Sequence, residues 1–373
     1  MVADDDPKIT IPTELLPSDG RFGCGPSRVR PEAVAALAAR ADGYLGTSHR
    51  KPNVRDVVGR LRSGLGELFS LPDGWEVVLG NGGTTVFWDA ALFGLIERRS
   101  QHVVFGEFSS KFAAAVDSAP HLDPPVVIEA DPGGCAEPVV GDVDVYALTH
   151  NETSTGVAAP LTRPDDGGLV AVDATSAAGG LRWDHAAVDV YYFAPQKCFA
   201  SDGGLWLALC SPAAVDRIGR ISSSDRWIPA SIDLGIAVTN SRQNQTYNTP
   251  ALATIFLALE QVDWINGNGG LEWAANRCDK SAAAMYGWAE AREWATPFVT
   301  DPALRSSVVA TIDLDETIDA STVSRVLSAN GIVDTEGYRK LGRNQLRMSL
   351  FPAIPPSDVE ALAACIDHIV GAL

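Results

Sequence analysis

Seven short apolar runs between residues 76 and 210 constrain the fold of this chain more than any other feature. Each run is rich in β-branched or other large apolar residues, and its apolar residues follow one another without regular alternation with polar ones. Runs of this kind are typical of strands buried on both faces of a mostly parallel sheet. The seven runs are EVVLG (76–80), HVVFG (102–106), PVVIEA (125–130), VDVYALT (143–149), LVAVDA (169–174), VDVYYFA (188–194) and GLWLALC (204–210).

Segments with helical periodicity separate several of these runs, which predicts an α/β domain with helices packed over the sheet. The residues that share one face of the first such helix are Phe87, Ala90, Ala91, Gly94 and Leu95. After the glycine-rich segment NGNGG (266–270), helix and strand patterns alternate in a compact α+β arrangement. The predicted parts are an N-terminal arm (1–28), a large, mainly parallel seven-stranded α/β domain (29–265) and a small α+β C-terminal domain (266–373).

The charge balance narrows the possible partners. The 373-residue chain carries 29 Lys and Arg against 47 Asp and Glu, which gives a formal net charge of −18. Nucleic-acid binding needs a basic surface, so this balance argues against it. No apolar run approaches the ~20 residues of a membrane helix, and the acidic start MVADDDPK does not resemble a signal peptide. We expect a soluble, cytoplasmic protein without nucleic-acid or membrane partners.

The cysteines and histidines give no sign of a metal or disulfide framework. The chain has six of each, scattered without a C-x-x-C or an H-E-x-x-H motif. Such spacing indicates free thiols in a reducing compartment. We expect no metal site built by the protein.

Two polar residues close apolar runs at positions where parallel sheets bind ligands, namely the carboxyl ends of the strands. They are Asp173 and Lys197. A lysine at a strand end more often just reaches solvent, but in a dry cleft desolvation lowers its pKa and makes it nucleophilic. A lysine that forms a Schiff base and an aspartate that keeps a pyridine nitrogen protonated are what pyridoxal phosphate (PLP) chemistry requires.

The segment GNGGTT (80–85) places a glycine turn between a predicted strand and a predicted helix. Dinucleotide-binding sites share this context, but the pattern here ends in threonine where their fingerprint has a small residue. A single phosphate on the helix N-terminus fits as well. The chain has no G-K-[ST] motif, which excludes a Walker-type nucleotide site.

In combination these motifs resemble those of the phosphoserine aminotransferases, a branch of the class V, fold-type I PLP enzymes, in the form found in actinobacteria. The resemblance runs nearly from end to end, and the order and spacing of the motifs make it specific. The motifs are RFGCGPS (21–27), GTSHR (46–50), NGGTT (81–85), HNETSTG (150–156), DATS (173–176), APQK (194–197), QTYNTP (245–250) and GYRKLGRNQLRMS (337–349).

The resemblance implies a role for each motif residue around PLP. Lys197 is expected to be the Schiff-base lysine and proton shuttle, and Asp173 the partner of the pyridine nitrogen. Phe108 replaces a tryptophan that usually stacks on the cofactor ring, and so keeps an apolar face but loses the indole N–H. The other residues expected at the cofactor are Gly83, Thr84, Thr153 and Gln196, with Asn248 and Thr249 reaching its phosphate from a second subunit. A homodimer with shared active sites is therefore expected.

The resemblance also implies the substrates. A phosphorylated amino acid presents a carboxylate and a phosphate, and arginine suits both. Arg347 matches the family's α-carboxylate clamp, while His49, Arg50 and Arg339 match the pocket for the phosphate or the distal carboxylate of glutamate. The expected reaction is amino transfer from glutamate to 3-phosphohydroxypyruvate, which gives 2-oxoglutarate and phosphoserine. The related phosphohydroxythreonine step of pyridoxal phosphate biosynthesis is a further possible activity.

Two residues depart from the family pattern, and other activities remain to be weighed. Cys24 and Tyr338 stand where many members have serine and histidine, respectively. The closest alternative is alanine– or serine–glyoxylate transfer, which the paired basic residues disfavour. A cysteine desulfurase would need a mobile nucleophilic cysteine downstream of Lys197, but Cys278 and Cys365 fall in predicted helices. A dinucleotide-dependent oxidoreductase is opposed by the incomplete glycine fingerprint.

Overall fold

A computed structural model describes residues 8–373, so the first seven residues of the expected arm lie outside the described part. Its strands form one large and two small sheets. The strands are β1 (Glu76–Asn81), β2 (Ser100–Val104), β3 (Val126–Glu129), β4 (Val145–Thr149), β5 (Asn151–Glu152), β6 (Val157–Ala158), β7 (Leu169–Asp173), β8 (Val190–Phe193), β9 (Leu205–Cys210), β10 (Ala295–Pro297), β11 (Val309–Leu314) and β12 (Gln345–Ser349).

Helices cover the large sheet and build the rest of the chain. They are α1 (Pro31–Tyr44), α2 (Pro52–Leu68), α3 (Thr84–Gly94), α4 (Glu107–Asp117), α5 (Pro212–Ser222), α6 (Leu234–Arg242), α7 (Leu252–Gly267), α8 (Gly270–Glu290), α9 (Ala320–Ala329) and α10 (Pro356–Val370). Between residues 8 and 373 no helix has both the length and the apolar character of a bilayer-spanning segment.

The large sheet contains all seven strands predicted from the apolar runs, in the order β1-β9-β8-β7-β4-β2-β3. Only β9 runs antiparallel to its neighbours, so the prediction of a mainly parallel α/β sheet is confirmed. The central strands β4, β7 and β8 are buried at every position because apolar side chains from both faces pack under helices.

The strand register brings together the ends of β4, β7 and β8, where the predicted functional residues lie. Thr149 at the end of β4 pairs with Asp173 at the end of β7, and Asp173 pairs with Tyr192 on β8. Lys197 is the fourth residue after the end of β8. Because these strands are parallel, their carboxyl ends lie at one edge of the sheet.

Helix α3 is fixed over this edge by aromatic packing. The ring of Phe87 stacks on Tyr192 at 4.3 Å between centroids, and it meets Trp206 edge to face at 5.2 Å. Such pairs stabilise a fold by about 0.5–1.5 kcal/mol each beyond the burial of their area. The packing holds the first turn of α3, which begins at Thr84, next to the end of β1.

A second hydrophobic core lies around the three-stranded antiparallel sheet β10-β11-β12 and helices α8, α9 and α10. The N-terminal segment contributes Ile11 and Phe22 to this core. The backbone of Phe22 bonds with both later segments: its N–H donates to the carbonyl of Val333, and its carbonyl accepts from the N–H of Ser349. The segment that opens the chain is thus held by residues near its end.

Candidate active site

A cavity of about 330 Å³ lies at the carboxyl edge of the large sheet; we call it the lysine cavity. Its walls come from the N-terminal segment, helix α3, the start of α4 and the loops after β4, β7 and β8. Its lining residues are Gly25, Pro26, Gly83, Thr84, Thr85, Trp88, Phe108, Thr149, Asn151, Thr153, Asp173, Thr175, Gln196 and Lys197. A volume of this size suits one small organic molecule.

Lys197 projects into this cavity from the loop after β8 and is only 7% exposed. Burial lowers the pKa of its amine from 10.5 to about 8, since the charged form loses water. Its Nζ donates to the Thr153 hydroxyl at 3.4 Å. A Cβ on Gly25 would lie 2.6 Å from the Lys197 Cε, and φ of Gly25 is +145°, so glycine is required there. The Lys197 amine is therefore held beside the N-terminal segment and shielded from water, and it is able to act as a nucleophile.

Asp173 ends β7 on the same cavity, where it is also 7% exposed. Burial raises the pKa of its carboxyl to about 6, and hydrogen bonds from Thr175 oppose this rise. The Thr175 backbone N–H donates to Oδ1 at 2.9 Å and its hydroxyl donates to the same oxygen at 2.6 Å. An acid held in this way can accept a hydrogen bond from a cationic ring nitrogen.

The N-terminus of α3 forms another wall of the cavity. Gly83 is the N-cap residue and contributes no side chain, so the first N–H groups of Thr84 and Thr85 face the cavity end of the helix. The first N–H groups of a helix have no partner within it and carry the positive end of the helix dipole. The Thr84 and Thr175 hydroxyls lie 2.7 Å apart. This wall can hold a phosphate.

Phe108 reaches the cavity from the first turn of α4. Lys197 Nζ lies 5.7 Å from the centroid of its ring. The buried carboxylate of Glu152 fixes this turn because it accepts from the backbone N–H groups of Phe108 and Ser109 at 3.1 and 3.0 Å. The ring is thereby presented as one apolar face of the cavity.

Thr153 and Gln196 complete the region around the lysine. The Thr153 hydroxyl donates to Ser176 at 2.8 Å, which directs its own lone pairs toward Lys197. The carbonyl of Gln196 accepts from the N–H of Ser27 at 2.7 Å, which ties the N-terminal segment to the lysine loop. The Gln196 Oε1 is buried without a partner in the described part of the chain. An orphaned acceptor beside a cavity suits a ligand with a donor.

Arg347, on β12, approaches the cavity from the second core. Its Nη1 donates to the carbonyl of Thr153 at 3.1 Å, while its Nε is buried with no partner among residues 8–373. Its charge lowers the pKa of Lys197 and also that of Cys24, although burial raises the Cys24 pKa overall. A carboxylate bound near Lys197 could therefore be held by this guanidinium.

Tyr338 lies beside Arg347, and Arg339 follows it in the chain. The Tyr338 ring packs 5.2 Å from the Arg347 guanidinium and 6.2 Å from the Phe108 ring. Lys340, the next residue but one, forms an ion pair with Glu107 at the start of α4. Arg339 itself is exposed. Arg339 therefore does not line the lysine cavity, although the adjacent Tyr338 contacts Arg347 and Phe108.

Besides Arg339 and Arg347, four residues expected at the site do not line the lysine cavity; we call His49, Arg50, Asn248 and Thr249 the outer group. His49 is buried, and its Nδ1 and the Thr249 hydroxyl are 3.2 Å apart. Burial and the neighbouring Arg50 charge lower the pKa of His49. The Asn81 side chain donates to the Asn248 carbonyl at 3.2 Å. These contacts bring the outer group together although its two halves are about two hundred residues apart in sequence.

The side chain of Arg50 opens onto a different part of the surface. With Tyr247 it lines a groove of about 1200 Å³ between α5 and α6, which shares no lining residue with the lysine cavity. Tyr247 is 50% exposed. Within one chain, therefore, Arg50 does not reach the cavity that holds Lys197.

Sequence reasoning missed three residues that shape the site. Thr175 and Glu152 belong to motifs that were noted, DATS and HNETSTG, but their hydrogen bonds to the site become visible only in the structure. Trp88 lines the cavity from α3, where its apolar character had given it the appearance of an ordinary core residue. The only signal was its position one turn after a phosphate-binding glycine turn.

The cavity fits PLP on four independent counts. It offers a neutralisable amine, a buried acid, a helix N-terminus for a phosphate and an apolar ring face. The orphaned Gln196 oxygen adds an acceptor. Within residues 8–373, no three His, Cys, Asp or Glu side chains are grouped as a metal site.

Comparisons with known proteins agree with this geometry. The model of the family described as aminotransferase class-V matches residues 97–362. A phosphoserine aminotransferase of Rhodococcus jostii is 59% identical over 366 residues, which cover 97% of this chain and 98% of that protein. Among solved structures, a phosphoserine aminotransferase of Cytophaga hutchinsonii has a TM-score of 0.85 at 23% identity, with 94% of this chain and 99% of that one covered. A PLP-bound phosphoserine aminotransferase of Trichomonas vaginalis has a TM-score of 0.79 at 19% identity, with the same coverage.

Proposed function

The chain belongs to the class V aminotransferase family, and from this premise we propose that it transfers an amino group between glutamate and 3-phosphohydroxypyruvate with PLP as cofactor. The products are phosphoserine and 2-oxoglutarate, and the step belongs to serine biosynthesis. The observation that carries the proposal is that a buried Lys197 with a lowered pKa and a buried Asp173 with a raised pKa line the same cavity.

Within this cavity we assign Lys197 the covalent attachment of the cofactor and the movement of the substrate's α-proton. When bound, PLP supplies an electrophilic carbon and a protonated ring that can take up the electron pair left by that proton. A lysine with pKa of about 8 is suited to both tasks, because about a tenth of it is neutral at pH 7, far more than of a lysine with the ordinary pKa of 10.5. Thr153 orients the amine through its hydroxyl.

The other cavity residues bind and orient the cofactor in this proposal. Asp173 holds the ring nitrogen protonated, and Thr175 keeps the Asp173 carboxylate in place. Gly83 and Thr84, at the start of α3, bind the phosphate with backbone N–H and hydroxyl groups. Phe108 covers one ring face, and Gln196 contacts the phosphate, to which its amide NH2 group can donate.

Arg347 is the proposed clamp for the substrate α-carboxylate. Its Nη1 donates to the Thr153 carbonyl, its Nε has no partner among residues 8–373, and its charge lowers the pKa of Lys197. A carboxylate on this guanidinium would set the substrate's Cα near the lysine amine, which is the orientation that proton transfer needs. Arg339, which is exposed, would meet the other anionic end of the substrate.

The outer group supports a homodimer with shared active sites. Asn248 and Thr249 are proposed to reach the cofactor phosphate of a second subunit, and His49 is bonded to Thr249. His49 and the adjacent Arg50 would then cross to the same partner site, where they would join Arg339 in binding the substrate phosphate. We also propose that the chain divides into an arm (1–28), a large domain (29–265) and a small domain (266–373), and that it acts in the cytoplasm.

One experiment tests the function directly. We expect the protein purified with PLP to show a visible absorption band that borohydride removes, with Lys197 as the modified residue in the digested protein. With 2-oxoglutarate as acceptor, phosphoserine should react at least about 10²-fold faster than serine or alanine, since a paired phosphate contributes several kcal/mol. Absence of the band would refute PLP chemistry, and equal rates with serine would point to the glyoxylate-type activity.

A further inference from the structure

Trp88 lines the lysine cavity, and its indole N–H has no role in the proposed function. It lies on α3, is 4% exposed, and shares the cavity wall with Asp173. Its buried indole Nε1 makes no well-formed hydrogen bond among the described residues. A buried donor without a well-formed bond is costly, so it indicates a nearby acceptor that the N–H does not yet meet in good geometry.

The indole is held rigidly in place. Its ring stacks on Phe112 of α4 with 5.9 Å between centroids and planes 12° apart. The preceding residue, Phe87, is stacked on Tyr192 of β8, the strand next to Asp173. Because both faces of the first two turns of α3 are packed, the direction of the Trp88 N–H is set by the core.

Asp173 can accept another donor. Both donors of Thr175 go to Oδ1, and no hydrogen bond to Oδ2 occurs within residues 8–373. A carboxylate accepts at both oxygens, so Oδ2 keeps its capacity for a second partner besides the cofactor ring.

We propose that Trp88 is a positioning residue that donates its indole N–H to the Asp173 carboxylate when the cofactor is bound. This inference rests on the proposed function. The donor keeps Asp173 ionised and aimed at the ring nitrogen, while Thr175 fixes the carboxylate from the other side. Consistent with this placement, burial raises the pKa of Asp173 and hydrogen bonding from the Trp88 side chain opposes that rise. Burial also raises the pKa of Tyr192, and the same indole opposes that rise too. The Tyr192 hydroxyl is buried without a partner among residues 8–373, so Tyr192 is the competing acceptor for this N–H.

Other titratable groups also face Asp173, and they define what the Trp88 donor adds. The Glu152 charge raises the pKa of Asp173, and Asp173 in turn raises that of Lys197. The groups that face Asp173 are Glu152 from β5, Lys197 from the loop after β8, Tyr191 and Tyr192 from β8, and His102 from β2. Burial keeps the pKa of His102 at about 3 and raises that of both tyrosines, so those three are neutral at physiological pH.

The test compares the binding of PLP with that of its 1-deaza analogue, in which C–H replaces the ring nitrogen. Both ligands can attach to Lys197, but only PLP can use Asp173. In the full-length protein, Trp88→Phe should weaken PLP binding about tenfold, the value of one hydrogen bond to a charged group. The dissociation constant of the analogue should not rise, because Asp173 makes no bond to it. Equilibrium dialysis measures both constants.

A matched control removes an indole elsewhere in the same core. Trp206 is 3% exposed and contacts Phe87, but it does not line the lysine cavity. Trp206→Phe should leave the ratio of the two dissociation constants unchanged. If Trp88→Phe fails to fold, replacement of its indole by benzothiophene through an expanded genetic code removes the N–H and keeps the shape.

Two results would overturn the inference: equal weakening of both ligands by the Trp88 change, or no weakening of PLP. The pH below which PLP affinity falls should also move up by about one unit in the Trp88 variant, because Asp173 then protonates more readily. A wild-type protein that binds neither ligand at Lys197 would refute the proposed function itself, which distinguishes that failure from failure of the Trp88 assignment.

Discussion

The lysine cavity and the outer group are two parts of one expected site, and they differ in almost every physical property. Lys197 and Asp173 are each 7% exposed and line a cavity whose walls all come from one chain. Arg50 is exposed on a groove that shares no residue with that cavity. The residues expected to hold the cofactor are thus mostly assembled, while those expected to bind the substrate phosphate are dispersed.

This difference follows from what each part must do. An amine with a lowered pKa and an acid with a raised one both need exclusion of water, which a buried sheet edge provides. A phosphate-binding pocket must admit a strongly hydrated anion and release it, so exposed arginines on separable surfaces are better suited. Chemistry is built into the interior of the subunit, and substrate recognition is left to its surfaces.

Among changes to the lysine cavity, removal of Lys197 should have the largest effect on activity. Lys197→Ala removes both the covalent anchor and the proton carrier, so we expect transamination to fall by about four orders of magnitude or more. Steady-state rates with phosphoserine and 2-oxoglutarate measure the loss. The control is Lys280→Ala, which removes an exposed lysine of α8 far along the chain and should leave the rate unchanged. Near-normal turnover without Lys197 would contradict the assignment.

Removal of Arg50 tests whether the outer group serves the active site of its own subunit or that of a partner. Arg50→Ala should lower kcat/KM for phosphoserine about 10²-fold through loss of one charge-assisted anchor. Heterodimers that combine one Lys197→Ala chain with one Arg50→Ala chain can be isolated with two affinity tags. If Arg50 serves the partner site, one of the two sites is intact, and about half of the wild-type activity should return.

The same heterodimer provides the contrary outcome. If Arg50 acts in its own chain, both sites remain defective and no activity returns. Arg220→Ala is the matched control because Arg220 lines the same groove as Arg50 but pairs with Glu97. This variant should keep full activity alone and should not need complementation.

The pH dependence of cofactor attachment is the smallest expected effect. It tests whether one group of the lysine cavity, Lys197, is as strongly affected by burial as the structure indicates. Burial lowers the Lys197 pKa to about 8, so the neutral, reactive fraction falls about tenfold per pH unit below that value. The rate at which cofactor-free protein gains its visible band should rise with pH and level off above about 8. A free lysine derivative keeps rising toward its ordinary pKa, so the same rise in the protein would contradict the burial argument.

Much of the fold could be predicted because its signal is local. All seven strands of the large sheet coincide with the apolar runs between residues 76 and 210. The two-residue strands β5 and β6 and the three-residue β10 were not predicted, since segments that short carry no periodicity. Their existence depends on tertiary pairing.

The residues of the site also divide into those that a local sequence signal reveals and those that it does not. Asp173 and Lys197 could be singled out because a charged residue that ends a buried strand is conspicuous in the sequence. The contact between His49 and Thr249 joins residues about two hundred positions apart, and no local pattern encodes it. Trp88 is hidden for a different reason: an apolar ring with helical spacing indicates a core, and only the orientation of its N–H distinguishes it.

The N-terminal segment beside Lys197 has a consequence for how the protein folds. Gly25 lies against the lysine, yet the same segment is held by residues far along the chain: the Ser18 hydroxyl donates to Asp358 at 2.8 Å, and the N–H of Ile11 donates to Asn330 at 3.0 Å. Contacts of such large sequence separation form only after their loop-closure entropy has been offset, so they are slow to form. The wall of the lysine cavity at Gly25 therefore depends on folding of the region that contains Asn330 and Asp358.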